Sequence, residues 1–292
     1  MHEEARLLGK SVPYPQTYCP EILVAVPRSL NRETYGIDKP DELFQGYDCW
    51  HAYEASFLLD NGMPVSGILK IVYPSGSPYL VESKSLKLYL GSYHMTPQGK
   101  DRATGISNYI RQVTADLDKL LSTRVDVHFF SDVLSEAPFD FTEYEILEDV
   151  IQPATVSFSA YQEHPAYLQE NIHRSAGEIK MGSHLLKSNC KITGQPDWGT
   201  IYIHLKARRL PDERSLLKYI VSLRNENHFH EEICEMTYKR LFDLFQPEIL
   251  SVCCLYTRRG GIDICPVRAN RPEFLPSHLP QARMLTKRSF RQ

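Results

Sequence analysis

Two stretches of this chain carry residue types at spacings that chemistry can use. Cys190 lies in KSNCKITGQPD, a polar segment with Gly194 and Pro196, and Asp197 follows seven residues later. Lys187 and Lys191 flank the cysteine, and neighbouring ammonium groups favour the thiolate, which is the nucleophile. The two residues fall where the chain must turn between strands, so a thiol and a carboxyl group can face one pocket. The plainer reading is a surface thiol. The second stretch is His228-Phe229-His230-Glu231-Glu232, at the start of a long helical pattern. Acids in a first turn are favoured by the helix dipole whatever their function. An HxH pair can join a thiolate on zinc, although this spacing is neither a zinc finger nor an HExxH helix.

Two basic segments complete the set. Glu82-Ser83-Lys84-Ser85 opens a short helix, with Ser83 the expected N-cap. Capping leaves Lys84 and Lys87 unexplained unless they form a solvated face. Arg258-Arg259-Gly260-Gly261 joins the last two strands. Glycines there permit a tight turn, and guanidinium groups above backbone N–H groups suit a phosphate. A plain basic hairpin tip is the alternative. No GxGxxG follows a strand and no Walker A motif is present, so neither a Rossmann nor a P-loop site is supported.

The elements that must position these residues follow from periodicity. Residues 1–46 carry prolines at 13, 15, 20, 27 and 40 and read as an ordered arm. His51–Leu59 and Val65–Tyr73 are extended around the turn signal Asp60-Asn61-Gly62. Glu82–Tyr93 is a short helix, and Ile106, Ile110, Val113, Leu117 and Leu120 mark the apolar stripe of a longer one. Val125–Phe130 is a strand. A boundary near residue 150 precedes an expected strand at Thr155–Tyr161. Then come an extended Trp198–Leu205, helices at Ser215–Leu223 and His230–Phe245, and strands at Ile249–Tyr256 and Ile262–Val267.

The second half thus repeats the order of the first. ESKSLKLYLGSY (82–93) aligns with DERSLLKYIVSL (212–223), with identities at Ser85/Ser215, Leu86/Leu216, Tyr89/Tyr219 and Ser92/Ser222. The expected fold is α+β: two tandem ββααββ modules, 47–150 and 151–292, behind an arm at 1–46. Each is an antiparallel sheet with helices on one face.

Composition agrees with a folded enzyme-sized chain. The 292 residues are 42% hydrophobic and 24% charged with a net charge of −3, which excludes a disordered chain and gives no basic excess for nucleic acid. The longest apolar run, Ile249–Tyr256, is far short of the roughly 20 residues that span a bilayer. The start MHEEARLL has acids where a signal peptide needs bases, so a cytoplasmic protein is expected. Seven cysteines, an odd number with no CxxC, read as reduced thiols, most of them core filler.

Six ordered segments together resemble the NADPH-dependent 7-cyano-7-deazaguanine reductases, the nitrile reductases of queuosine biosynthesis, in their two-module form. They are LLGK…YPQTYCPEILVAVPR (7–28), GYDCWHAYEASFL (46–58), VESKSLKLYLGSY (81–93), LKSNCKITGQPDWGTIYI (186–203), SLLKYIVSLRNENHFHEEIC (215–234) and YTRRGGIDI (256–264). His94 and Cys265-Pro266-Val267 depart from the family pattern. The resemblance implies the tunnelling fold and a site drawn from both modules. Cys190 would be the nucleophile, forming a thioimide with the nitrile, Asp197 the acid, and His230 an aid to proton transfer. Val81, Glu82, Ser83, His230 and Glu231 would bind the 7-deazaguanine, whose adjacent N–H donors suit a carboxylate. Ser83, Lys84, Arg259 and Gly260 would bind NADPH. The resemblance further implies no metal and a homodimer. Two other readings use the same residues: a zinc-dependent cyclohydrolase-like enzyme with Cys190 and His228 or His230 as ligands, and a non-catalytic binding module.

Overall fold

The structure is a computed structural model and describes residues 14–131, 136–174, 176–289 and 291–292. The amino-terminal reading, with LLGK and Pro13, lies outside the described residues. In chain order the strands are β1 (Ala25–Pro27), β2 (Gln45–Leu58), β3 (Pro64–Pro74), β4 (Tyr79–Val81), β5 (Asp126–Phe130), β6 (Glu145–Ile146), β7 (Gly177–Ser183), β8 (Lys187–Cys190), β9 (Pro196–Ala207), β10 (Asn227–His228), β11 (Ile249–Tyr256) and β12 (Ile262–Ala269). The helices are α1 (Ser29–Thr34), α2 (Pro40–Leu43), α3 (Ser83–Gly91), α4 (Arg102–Leu121), α5 (Leu147–Val150), α6 (Glu213–Ser222) and α7 (His230–Phe245). The fold is α+β.

One antiparallel path, β7-β9-β11-β12-β2-β3-β5, crosses both halves of the chain. Its seam is β12 against β2, paired from Ile262↔Ala52 to Ala269↔Gln45. Gly46 is required there, because a Cβ would lie 2.0 Å from the Val267 carbonyl oxygen. Two short parallel pairings were not foreseen: β6 on β7 and β10 on β8. Beyond the end of β7, β9 pairs instead with β8, which brings Ser188 opposite Asp197.

The main helices cover one face. Leu216, Ile220, Ile233, Met236 and Leu241 pack with Ile201, Ile203 and Val252, while Leu86, Tyr89, Tyr109, Val113 and Leu117 pack with Phe57, Leu69 and Ile71. The other face buries Cys49, Cys253, Cys265 and Val267 under Phe141 and Leu279. There the buried Lys70 ammonium donates to the Met284 carbonyl at 2.7 Å.

Local signals account for most boundaries. Asn61 accepts from Met63 N–H at 3.0 Å in the β2–β3 turn. Asp101 caps α4 by accepting from Thr104 N–H, and the left-handed Gln246 ends α7 just before Pro247. The buried stripe of α4 is Tyr109, Val113, Leu117 and Leu121, one position away from the expected centre. Ile106, Ile110 and Leu120 flank it. The strand expected at Thr155–Tyr161 is absent. That segment is a 3-10 turn and then irregular chain. Val156 and Phe158 alternate inward onto the core, but the segment has no ladder partner, and alternation alone does not make a strand.

The repeat recurs in three dimensions. Glu82 and Asp212 are the N-caps of α3 and α6. Ser85 Oγ accepts from Val24 N–H as Ser215 Oγ does from Gln169 N–H, and Ser92 Oγ accepts from Cys19 N–H as Ser222 Oγ does from His164 N–H. The described part of the arm is thus bonded to α3 much as 164–169 is to α6. It also supplies β1, which pairs with β4.

Candidate active site

A cavity of about 550 Å³ opens over the β12–β2 seam. The start of α3 and β4 wall one side, and the end of β8 with the start of α7 walls the other. Val81, Ser83, Lys84, Lys87, Cys190, Asp197, His230, Glu231, Arg259 and Gly260 all face it, together with Trp50, Ile262 and Ile264 from the seam. Residues from both halves therefore meet in one place.

Cys190 ends β8 and is 7% exposed, so it is not a surface thiol. Its N–H bonds to Gln195 O at 2.8 Å and its carbonyl accepts from Gly194 N–H at 3.0 Å, closing a tight turn that returns the chain to Asp197. The flanking lysines hold this turn in place. Lys187 donates to Asn189 and to the Arg224 carbonyl, and Lys191 donates to Glu232 at 3.1 Å. Asp197 is buried and paired with the half-exposed Arg259. His230 Nε2 stands 3.6 Å from the same carboxylate oxygen, and its ring packs against Tyr256 at 4.0 Å. Cys190, Asp197 and His230 thus line one cavity, with Arg259 paired to Asp197.

Glu231 sits in the first turn of α7, buried, with no hydrogen-bond partner for Oε1 among the described residues. Burial raises its pKa far above the carboxylate range, the Asp48 charge raises it further, and Arg28 and Arg268 oppose both. Beneath it lies a buried ion network. Asp48 pairs with Arg28 and, at 2.8 Å, with Arg268, while Glu235 accepts from Arg32 and Arg268 at 2.8 Å. An unpaired buried acceptor beside a cavity is costly unless a ligand supplies donors.

The cap of α3 is Glu82 and not the expected Ser83. Glu82 Oε1 accepts from Lys84 N–H at 2.9 Å and Oε2 from Ser85 N–H at 2.7 Å. A carboxylate one residue earlier reaches two orphan amides where the serine would reach one, so it takes the cap. Both oxygens are bonded within the chain, and Glu82 lies behind the cavity rim while Val81 and Ser83 form it.

The cationic edge fits a dinucleotide phosphate. Lys84, Lys87 and Arg259 border the cavity together. Gly260, with φ +60°, turns the chain so close to Lys87 that a Cβ would come within 2.4 Å of its Nζ. Among the described residues, Cys190, His228 and His230 do not form a cluster of metal-ligating atoms. Both ring nitrogens of His228 are within hydrogen-bonding distance of carboxylates, those of Glu226 and Glu232. Among the described residues, the grouping of metal-ligating atoms that does occur is His51, Asp263 and Cys265, on the far face of the sheet from Cys190. There the Arg288 guanidinium stands 3.4 Å from His51 Nδ1.

Sequence reasoning missed Trp50, which is buried in the cavity floor with no partner for its indole N–H among the described residues. Its signal was the alternation of β2, which puts Trp50 on the same face as Asp48. The ion network carried no readable signal, since its members lie far apart in the chain.

The comparisons put the chain in the class of NADPH-dependent oxidoreductases. Residues 14–129 match the family described as nitrile reductase, 7-cyano-7-deazaguanine-reductase N-term, and residues 196–273 match the QueF-like protein family. A curated NADPH-dependent 7-cyano-7-deazaguanine reductase of Coxiella burnetii (strain Dugway 5J108-111) is 37% identical over 294 aligned residues, covering 100% of this chain and 98% of its own. One from Acinetobacter baumannii (strain ACICU) is 37% identical over 285, covering 97% of this chain and 100% of its own. The chain belongs to the family of NADPH-dependent 7-cyano-7-deazaguanine reductases.

Proposed function

We propose that this chain reduces the nitrile of 7-cyano-7-deazaguanine to the primary aminomethyl group, with two NADPH and two protons per turnover, in queuosine biosynthesis. The observation that carries this reading is the meeting of Cys190, Asp197 and His230 from one half of the chain with the Ser83–Lys87 segment of the other across a single cavity. A nitrile carbon is a poor hydride acceptor. Addition of the Cys190 thiolate forms a C–S bond while one C–N π bond breaks, and Asp197 gives the nitrogen its proton, leaving a thioimide. NADPH, when bound, supplies a hydride to the carbon of that adduct and a second to the imine that follows. Cys190 leaves between the two steps with the C–S electron pair. His230, beside Asp197, carries protons to the nitrogen as it becomes an amine.

Glu231 accepts the ring N–H and the exocyclic amine on its open side, with the Val81 backbone and Ser83 on the opposite rim. Glu82 acts on the substrate through the cap that fixes this rim. Lys84, Arg259 and the Gly260 turn take cofactor phosphate, with Lys87 beside them. Arg259 must leave Asp197 to do so, and this frees the carboxyl oxygen for the proton it transfers. The 47–150 and 151–292 segments are the two modules, and the working form is a cytoplasmic homodimer that needs no metal.

The test is NADPH oxidation with and without the nitrile, beside intact-mass measurement of the chain mixed with nitrile alone. A single adduct absent from Cys190→Ala is expected. An adduct that survives this substitution, or nitrile-independent oxidation only, refutes the reading.

A further inference from the structure

In the parallel pairing of β10 with β8, His228 stands in register with Cys190. It lies two residues before His230, at the start of α7. We propose that His228 is a positioning residue whose imidazolium, through Glu232, ties the Cys190 turn to the helix end that carries His230 and Glu231. The proposal rests on Cys190 being the nucleophile.

The link runs through one carboxylate. Glu232 Oε1 accepts from Lys191, the residue after Cys190, at 3.1 Å. Its Oε2 accepts from the Phe229 N–H at 3.1 Å and lies 3.0 Å from His228 Nδ1. On the other side of the ring, Nε2 is 3.3 Å from Glu226 Oε2 and 3.1 Å from the Tyr35 hydroxyl. Glu226 is itself fixed: its Oε1 accepts from Glu163 N–H at 2.7 Å, and its carbonyl accepts from the N–H of Asn189, the residue before Cys190, at 2.7 Å. Both neighbours of the nucleophile are therefore bonded to the residues that bracket His228, Lys191 to the Glu232 carboxylate and Asn189 to the Glu226 backbone carbonyl.

A neutral imidazole has one N–H to donate, whereas a carboxylate on each side asks for two. The charged groups facing the ring are Glu226 and Glu232, with Lys191 on the other oxygen of Glu232 and Arg240 and Glu163 around Tyr35. The two nearest carboxylates are balanced by Lys191 only if the ring carries the second positive charge. Burial pulls the His228 pKa down, and the hydrogen bonds it donates to Glu226 and Glu232 more than reverse this, leaving it raised to about 9. A raised histidine stabilises fully below its unfolded value of 6.5, and that stabilisation is lost as pH rises through about 9. The clamp is thus closed at neutral pH and opens in mild alkali.

The experiment compares wild type with His228→Gln, and with Glu232→Gln as a second variant that cuts the same link. The readout is the rate of Cys190 adduct formation with the nitrile, without NADPH, together with the affinity for the amine product. Near neutral pH the variant should form adduct roughly tenfold to a hundredfold more slowly, the scale of a small misplacement of a reacting group. Product affinity should change by no more than about threefold, since the ring contacts remain. The ratio of wild-type to His228→Gln rates should fall towards one as pH rises through about 9. Any titration shared by both proteins cancels in that ratio. A merely structural histidine would lower the yield of folded protein without changing the rate per folded molecule or its pH dependence. Wild-type rates in either folded variant, or a ratio constant with pH, overturn the proposal. If the wild-type chain forms no adduct at all, the reading of the reaction has failed. The clamp is then judged by iodoacetamide labelling of Cys190, which His228→Gln should accelerate and which an unchanged rate would refute.

Discussion

Binding of the substrate ring should drive a proton off Glu231, and the size of that effect follows from its surroundings. Oε1 of this buried carboxyl group has no hydrogen-bond partner among the described residues. Burial and the charge of Asp48 outweigh Arg28 and Arg268 and push its pKa up to about 8. The ring presents two adjacent N–H donors, which a carboxylate accepts and a protonated acid opposes. Below the raised pKa, each bound ring must therefore release one proton, and the dissociation constant should rise about tenfold per pH unit, or about 1.4 kcal/mol. Two units below the midpoint the loss is on the order of a hundredfold. The assay is calorimetric titration of Cys190→Ala with the nitrile, so that binding is separated from chemistry. Repeating it in buffers of different ionisation enthalpy counts the protons. Close to one proton released on the acid side of the midpoint, and almost none above it, is the expected result. Glu231→Gln should bind with no pH dependence and more weakly, by roughly 1–3 kcal/mol for a donor left unpaired. No proton release, with an affinity flat across the range, would refute the reasoning and move ring recognition to another group.

Two further outcomes follow from the cavity walls. Arg259→Gln should raise the KM for NADPH roughly tenfold, as expected for one charge-assisted contact. The effect should shrink with added salt while the KM for the nitrile stays nearly constant. Equal changes in both constants would tie Arg259 to Asp197 rather than to the cofactor. Glu82→Ala removes the acceptor for two amide groups of α3 and should cost about 1 kcal/mol of stability in denaturant titration. It should raise both KM values through the displaced rim, and unchanged stability would show that the cap carries no weight.

The elements whose partners are close in sequence were legible without the structure. The β2–β3 hairpin follows from alternation around Asp60-Asn61-Gly62, and α4 and α7 from apolar spacing that ends at recognisable stops. The repeat of α3 in α6 reflects one bonding scheme used twice, with a carboxylate cap and two serines that hold an incoming segment. The site segments were readable because their chemistry is local: a thiol and a carboxyl group seven residues apart must meet if the chain turns between them. The tertiary structure alone decided the rest. The seam between β12 and β2 joins residues more than 200 positions apart, and no periodicity encodes which edge strand meets which. That seam puts Trp50 under the cavity and collects Arg28, Asp48, Glu235 and Arg268 beneath Glu231. Burial, reinforced by the charge of Asp48 against the two arginines, makes Glu231 a proton-linked group. The same holds for Glu82, whose role turned on which amide groups lay within reach, and for His228, which a sequence offers equally as a ligand or a surface residue. Burial between two carboxylates sets its charge, and only the packed chain brings those carboxylates together.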